Sequence, residues 1–213
     1  MTRALRLRSA LAAAILGCLA WPASPPVAAY ALTGARWNQS TVNYVVNPVN
    51  LDLPQANVIQ ALSAGADTWF LQAAINFRFV YAGTSTVVNN TLDGANVVMF
   101  RNASSGSAIA TTYSWFSGSS MLEADMVFWD GAFRFFSGST GCSGGFYIED
   151  IAAHEFGHAL GLDHSTVADA TMFPSTSPCN VGLRSLSADD VAGARSIYGG
   201  RPPTAPLGLR ITG

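Results

Sequence analysis

The fold is decided by one stretch of the chain, residues 154–164, which reads His154-Glu155-Phe156-Gly157-His158-Ala159-Leu160-Gly161-Leu162-Asp163-His164. On a helix, positions 154 and 158 lie one turn apart and project from the same face, so two imidazoles can reach one metal ion. Gly161 predicts a turn out of that helix, because glycine adopts backbone conformations that other residues resist. The turn allows His164 to come back as a third ligand.

This ligand set indicates a catalytic zinc site. Three neutral imidazoles leave a fourth position of a tetrahedral ion for water, whereas structural zinc sites are closed by four protein ligands. Zinc lowers the pKa of water from about 15.7 towards about 7 and polarises a carbonyl group. Glu155 lies beside the first ligand without occupying the metal, so we predict that it is the general base and later protonates the leaving amine. Hydrolysis of an amide bond follows from these roles.

The composition supports the same interpretation. The chain has three histidines in 213 residues, and all of them lie in this stretch. Histidines that served only to pack a core would be scattered along the chain. A His-Glu-x-x-His pattern alone is a weak signal, but a glycine and a third histidine at fixed spacing make the prediction of a zinc site specific.

Hydrophobic patterning on both sides of this stretch predicts an α+β domain. A first helix is predicted to open at Asp52 and Pro54, and a last helix at Ser187, which Asp190 would cap. Strands are predicted at residues 41–47, 77–81, 95–100, 108–116 and 124–129, and helices at residues 54–73, 149–160 and 187–198.

The first 31 residues predict a signal peptide. Three arginines among the first eight residues precede an apolar run of about 13 residues, and small residues around position 30 offer cleavage sites. The run is shorter than the ~20 residues of a membrane-spanning helix, so no permanent membrane anchor is expected. Residues 32–200 are predicted to form one catalytic domain. Residues 201–213 are either a linker or the first strand of a truncated segment resembling a fibronectin type III domain.

Removal of the leader also changes the charge of the chain. It takes away three of the 11 basic residues and leaves eight against 13 acidic ones, a net charge of −5. Phosphate binding needs a cationic face, so nucleic acid is not an expected partner. We expect a secreted, extracellular monomer whose partner is a protein or peptide substrate.

Two cysteines remain after removal of the leader, Cys142 and Cys179. Disulfides persist in exported proteins, so the two are predicted to pair, with two free buried thiols as the alternative. The closed loop would contain all three histidines and would stabilise the fold by roughly 3–4 kcal/mol in the chain-entropy model.

The stretch with Gly161 and His164 resembles the zinc-binding motif of the metzincin metallopeptidases. The serine directly after the third histidine, Ser165, makes the stretch similar to that of the matrixin branch, the family of the matrix metalloproteinase catalytic domains. Three further segments agree with this resemblance: Ala170–Pro174 looks like the family's Met-turn, Glu123–Phe128 like the strand before the catalytic helix, and Leu186–Gly199 like the closing helix.

The resemblance implies a twisted, mixed sheet of about five strands with three helices and a cleft that runs over the zinc. It implies that Met172 underlies the three imidazoles. Asp190 resembles the residue that braces the Met-turn from the last helix, or it only caps its own helix, and both interpretations stay open. An extended peptide would lie along an edge strand, for which Ala108–Phe116 is the candidate.

The chain also departs from the animal matrixins. No cysteine precedes Trp37 at a position where a propeptide could block the zinc, and no histidine outside the motif could hold a second, structural zinc. One catalytic Zn²⁺ is therefore expected. Asp125 and Asp130 could contribute to a Ca²⁺ site, but no compact oxygen-rich loop is visible, so calcium stays open.

Three functional hypotheses follow from these observations. The first is a zinc-dependent endopeptidase that hydrolyses extended protein segments. The second is a zinc hydrolase for a non-peptide amide or a single narrow peptide substrate, because its metal ligands would be the same. The third is a secreted binding module that has lost turnover, against which the presence of Glu155 argues.

Overall fold

The computed structural model describes residues 29–201. The leader up to residue 28 and the tail from residue 202 lie outside the described residues. The predicted signal peptide, the domain boundaries and the interpretation of the tail therefore stay predictions. No helix within residues 29–201 is long and apolar enough to span a membrane.

The described chain contains nine strands and three helices. Along the chain they are β1 (Ala31–Leu32), β2 (Thr41–Asn47), α1 (Gln55–Gln72), β3 (Arg78–Thr84), β4 (Val97–Phe100), β5 (Ala110–Ser117), β6 (Ser120–Phe128), β7 (Phe135–Phe136), β8 (Phe146–Tyr147), α2 (Ile148–Leu160), β9 (Leu162–Asp163) and α3 (Ala188–Tyr198).

Five of the strands form one mixed sheet in the order β3-β2-β4-β6-β5. Strands β3, β2, β4 and β6 are parallel to one another, while β5 is antiparallel to β6 and lies at the edge. The other strands form two short pairs, β1 with β9 and β7 with β8. The predicted α+β fold, a five-stranded mixed sheet with three helices, is confirmed.

The predicted elements differ from the observed ones mainly at their ends. Asp52 does not cap α1, because its carboxylate accepts the Phe135 N–H at 2.7 Å, and Pro54 takes the N-cap position without a side-chain bond. Strand β6 begins four residues earlier than predicted. It includes Glu123, which is fully buried, and a charged residue in a sequence argues against extending a buried strand across it. The two-residue strands are too short to show any periodicity.

Helix α2 packs tightly against both α1 and the sheet. Phe156 lies with its ring centroid 5.0 Å from those of Tyr44 and Phe79, which belong to β2 and β3. A Cβ atom at Gly65 of α1 would come within 2.5 Å of the Ala152 Cβ, so the two helices touch where glycine leaves room. Fixing α2 in this way fixes the positions from which its histidines project.

Two tryptophans tie α2 to the rest of the domain by hydrogen bonds. Trp69 of α1 donates its indole N–H to the Ala153 carbonyl at 2.8 Å, and Trp37 donates to the Ala159 carbonyl at 2.8 Å. Both indoles are buried. Buried indole N–H groups need a partner, so these bonds set the depth and rotation of α2 as well as satisfying the donors.

Candidate metal centre and active site

The histidine ligands are positioned by the end of α2 and by the turn that follows it. Gly161 closes the helix with φ of 105°, a left-handed conformation that side chains resist. A Cβ atom there would lie 2.2 Å from the Ala35 carbonyl oxygen. Beyond the turn, β9 pairs with β1, and the Thr33 N–H donates to the Gly161 carbonyl at 2.9 Å. These contacts direct the chain back so that His164 reaches the other two histidines.

The structure brings the three histidines together. His154, His158 and His164 each offer one ring nitrogen, and these three nitrogens lie within 4.8 Å of one another. The Nε2 atoms of His154 and His158 are 3.1 Å apart. Two ligands at about 2.05 Å from a tetrahedral zinc ion lie roughly 3.3 Å apart, so the spacing fits one zinc ion.

Main-chain carbonyls set the tautomers of two of these rings. His154 donates its Nδ1–H to the Thr171 carbonyl at 2.7 Å, and His158 donates its Nδ1–H to the Leu162 carbonyl at 3.0 Å. A carbonyl can only accept, so the proton of each neutral ring lies on Nδ1 and Nε2 keeps a free lone pair. The donor set therefore suits a divalent cation with a preference for imidazole.

The surroundings also keep His154 and His164 neutral. Burial, together with the neighbouring His158 and His164, lowers the pKa of His154 to about 3. Burial lowers the pKa of His164 as well. Neutral imidazole is the form that binds a metal, so no proton competes strongly for these sites near neutral pH.

Glu155 faces the cleft beside the histidines. Its side chain is 5 % exposed, and burial raises the pKa of its carboxyl, while His158 and the Thr112 hydroxyl act in the opposite direction. The Thr112 hydroxyl lies 2.6 Å from Oε2. A raised pKa suits a carboxyl group that must both accept and return a proton.

Met172 lies directly under the histidine-bearing turn of α2. Its side chain is buried, and a Cβ atom at Gly157 would come within 2.2 Å of the Met172 Sδ. The Ser165 N–H donates to the Met172 carbonyl at 2.9 Å, which closes the loop after His164. Sequence reasoning singled out Met172 but gave no reason for Gly157, which is the residue that leaves space for it.

Asp190 makes the contacts that both of the interpretations left open by the sequence require. Its carboxylate accepts the N–H groups of Thr171 at 2.8 Å and Met172 at 3.0 Å. It also accepts the Ser187 N–H at 2.8 Å, in a capping box at the start of α3. One buried carboxylate thus joins α3 to the turn beneath the histidines.

Asp189, its neighbour, is a residue to which sequence reasoning gave no separate role. Its carboxylate accepts the Ser165 hydroxyl at 2.7 Å and the N–H groups of Ala29 and Tyr30 at 2.8 and 3.0 Å. It therefore ties the residue after His164 to the first described residues. Ser165 is 24 positions away in sequence and the other two partners are about 160 positions away, so no local pattern could reveal them.

The cleft beside the histidines has a volume of about 700 Å³. One wall is β5 and the other is the segment after Met172, including Phe173, Pro174 and Leu183. It is also lined by the apolar side chains of Phe133, Phe146 and Ile151. Such a pocket can take an apolar side chain of a ligand whose main chain lies along β5.

The wall after Met172 is held by three kinds of contact. Cys142 and Cys179 form a disulfide, and the Cys179 N–H donates to the Gly145 carbonyl at 2.8 Å. Arg184 donates to the buried carboxylate of Asp150 and to the Gly138 carbonyl. The segment is therefore fixed to the loop before α2 and to the first turn of α2 itself.

Asp125 and Asp130 do not lie in one site with other acidic ligands. The histidine cluster is the one group of three or more potential ligand side chains that meet closely within residues 29–201. Asp125 accepts the Val97 N–H at 2.8 Å, and Asp130 accepts the Leu51 N–H at 3.0 Å. Calcium is not shown by this arrangement.

Comparison with known proteins agrees with this geometry. The family model described as Matrixin matches residues 36–199. The chain is 28 % identical to matrilysin of Rattus norvegicus over 83 % of its length and 64 % of that protein. It is 30 % identical to matrilysin of Homo sapiens, with 83 % and 64 % covered. It is 29 % identical to interstitial collagenase of Equus caballus, with 86 % and 38 % covered. The chain thus spans less than two thirds of the length of these relatives.

Proposed function

The chain belongs to the matrixin family of zinc metalloendopeptidases, and from that premise we propose that it is a secreted endopeptidase that cleaves extended protein segments. The observation that carries the proposal is the three-histidine cluster with Glu155 beside it on the wall of an open cleft. Membership of the family implies protein substrates. The disulfide agrees with an extracellular site of action, because disulfides persist outside the reducing cytosol.

We assign the zinc ligands to His154, His158 and His164. When bound, the ion supplies Lewis acidity, which polarises the carbonyl of the scissile bond and makes water more acidic. The Nδ1 hydrogen bonds of His154 and His158 keep their Nε2 atoms directed at a common point. Met172 and Asp190 are proposed to hold the floor beneath these rings, and Gly161 to return the chain to His164.

Glu155 is proposed to carry the protons of the reaction. In the carboxylate form it takes a proton from the attacking water, and in the protonated form it delivers that proton to the nitrogen that leaves. Burial disfavours the carboxylate form of Glu155, so the difference in free energy between its charged and protonated forms becomes smaller. Oε2 is engaged by Thr112, so Oε1 is the oxygen that exchanges the proton.

The edge strand is proposed to bind the main chain of the substrate. The Trp129 N–H donates to the Ile109 carbonyl at 3.1 Å, so residue 109 is in a hydrogen-bonded pair of the antiparallel ladder. Pairs alternate along such a ladder, so Ala110, Thr112 and Ser114 direct their main-chain groups away from β6. An extended peptide could add to this edge with its side chain in the apolar pocket.

Calcium binding is a separate proposal with its own observation. Asp130 is buried, its Oδ1 has no hydrogen-bond partner among the described residues, and its pKa is raised by burial and by the nearby Asp52. A divalent cation would relieve both features if main-chain carbonyls and water completed its coordination. Thermal unfolding of the wild type and of Asp130→Asn, with and without Ca²⁺, tests the proposal. Ca²⁺ should raise the unfolding temperature of the wild type and leave that of Asp130→Asn unchanged.

The experiment that tests the main proposal is hydrolysis of casein and gelatin by the purified protein, followed by identification of the cleaved bonds. An endopeptidase produces internal cuts at several sequences, and o-phenanthroline stops them. Cleavage of neither protein, by a chain that holds one zinc, would favour a hydrolase of narrow specificity or a binding module. A broad panel of short amide substrates then distinguishes those two, because the binding module cleaves none of them.

A further inference from the structure

Thr112, on the edge strand β5, contacts the residue that we propose as the general base. Its hydroxyl oxygen lies 2.6 Å from Oε2 of Glu155 and 3.1 Å from the main-chain carbonyl oxygen of the same residue. A hydroxyl has one proton to donate, and a carboxylate oxygen is the stronger acceptor of the two. The shorter distance agrees with donation to the carboxylate.

No other residue within 29–201 donates a hydrogen bond to this carboxylate. The Glu155 side chain lies on the cleft side of α2 and is almost completely buried. A glutamate has three rotatable side-chain bonds, so burial in a 700 Å³ cleft does not by itself choose the direction of the two oxygens. The hydrogen bond from Thr112 fixes this direction, because it holds Oε2 against β5 and leaves Oε1 towards the cleft.

The same residue borders the proposed path of the substrate. From the phase of the ladder, the main-chain groups of Thr112 point away from β6, towards the position that an added peptide strand would take. Its side chain points to α2 instead. Thr112 therefore connects the strand that would receive the substrate with the group that would receive the proton.

We propose that Thr112 is a positioning residue for the hydrolytic reaction: its hydroxyl fixes Oε2 of Glu155 so that Oε1 faces the attacking water. This inference depends on the proposed endopeptidase function. Thr112 itself exchanges no proton with the substrate and acts only through the orientation of Glu155. Loss of the hydroxyl should then slow the chemical step without weakening the binding of substrate.

Steady-state kinetics on a peptide taken from a mapped casein cleavage site test this inference. Thr112→Val keeps the shape and the β-branched side chain but removes the hydroxyl, and Thr112→Ser keeps the hydroxyl. We expect Thr112→Val to lower kcat by about 10- to 100-fold, the usual effect of losing a hydrogen bond to a charged group. KM should stay within about twofold, and Thr112→Ser should retain kcat within about threefold, on the same principles.

Thr68→Val is the matched control. Thr68 is buried in α1, its hydroxyl donates to the Ala64 carbonyl at 3.1 Å, and it does not line the cleft. The control loses a threonine hydroxyl bond without touching Glu155, so its kcat should equal that of the wild type. The zinc content of every variant is measured as well and should stay at about one ion per chain, the content of a single catalytic site.

Three outcomes would overturn the inference. The first is a wild-type kcat in Thr112→Val. The second is an equal loss in Thr112→Ser, which would make the methyl group and not the hydroxyl responsible. The third is a raised KM with an unchanged kcat, which would make Thr112 a substrate-binding residue only.

Failure of the proposed function would look different, because the wild type would then cleave no peptide. In that case a double-mutant cycle in thermal unfolding, with Thr112→Val and Glu155→Ala, still tests the contact. Non-additive effects on stability support the hydrogen bond as an orienting interaction. Additive effects would mean that the two side chains are not coupled, and the inference would fail.

Discussion

Asp190 and Met172 are joined by a hydrogen bond of 3.0 Å, from the Met172 N–H to the Asp190 carboxylate. The carboxylate is 1 % exposed and also accepts the Thr171 and Ser187 N–H groups. The Thr171 carbonyl in turn accepts the Nδ1–H of His154. A buried charge on α3 is therefore two hydrogen bonds away from a proposed zinc ligand.

Replacement of this carboxylate should weaken the fold and the metal site together. Asp190→Ala leaves three main-chain N–H groups without their acceptor, and each unsatisfied buried group costs about 1–3 kcal/mol. We expect the free energy of unfolding to fall by at least about 3 kcal/mol, and zinc to be lost at lower chelator concentrations. Denaturant unfolding and zinc retention in a chelator series measure the two effects.

Ser187→Ala is the control for the Asp190 variant. It removes the other half of the capping box, for a loss of about 1 kcal/mol, and leaves the bonds to Thr171 and Met172 in place. Zinc retention should not change. If the two variants were equally unstable and equally able to hold zinc, Asp190 would be a helix cap and nothing more.

The disulfide between Cys142 and Cys179 should contribute strongly to stability. It closes a loop with a sequence separation of 37, which contains all three histidines. Such a loop stabilises a fold by about 3–4 kcal/mol in the chain-entropy model. Denaturant unfolding of a Cys142→Ser, Cys179→Ser double variant measures the loss, and a reductant should destabilise the wild type but not the variant. A loss below about 1 kcal/mol would contradict the prediction.

Gly157 should not tolerate even a methyl group. Its missing Cβ would lie 2.2 Å from the Met172 Sδ and 2.7 Å from the Trp69 Cζ2. Alanine favours helices by up to about 1 kcal/mol relative to glycine, but overpacking of a buried contact costs about 1–3 kcal/mol. Gly157→Ala should therefore lower the denaturant midpoint. A variant more stable than the wild type would show that Met172 moves aside freely.

Asp125 should make the stability of the fold dependent on pH. Burial, with smaller contributions from the Glu123 and Asp93 carboxylates, raises its pKa to about 7 despite the opposing hydrogen bond from Val97. The pKa in the unfolded chain is about 3.9, so the folded state holds the proton more tightly between about pH 4 and pH 7. This contribution is complete below pH 4 and is lost as the pH rises to about 7.

Thermal unfolding of Asp125→Asn at pH 5 and pH 8 checks this prediction. The variant cannot ionise, so it should lose less stability than the wild type between the two pH values and should be the more stable protein at pH 8. Asp169→Asn removes the same charge at an exposed position and serves as the control. Parallel pH dependence of the wild type and Asp125→Asn would contradict the prediction.

Much of this molecule could be predicted from the sequence, because its central features are local. His154, His158 and Gly161 lie within two helical turns, and their spacing alone indicates the ligand geometry. The capping box of Ser187 and Asp190 is equally local. The α+β class followed from periodicity, since each long element buries one face.

The features that were not predicted depend on contacts between distant parts of the chain. Thr112 and Glu155 are 43 residues apart, and nothing in the neighbourhood of either one indicates the other. Glu123 is a charged residue in the middle of a buried strand, and only the main-chain N–H groups of Asp93 and Gly94 make that position acceptable. The roles of Asp189 and Gly157 likewise follow only from the residues that they contact in the folded chain.

The central claim is that three histidines hold one zinc and that Glu155 transfers the protons. The most direct test is the rate of casein hydrolysis by Glu155→Ala, measured on protein whose zinc content has been determined. We predict about one zinc per chain in both proteins and no detectable hydrolysis by the variant. Hydrolysis at the wild-type rate by a zinc-loaded Glu155→Ala would contradict the claim.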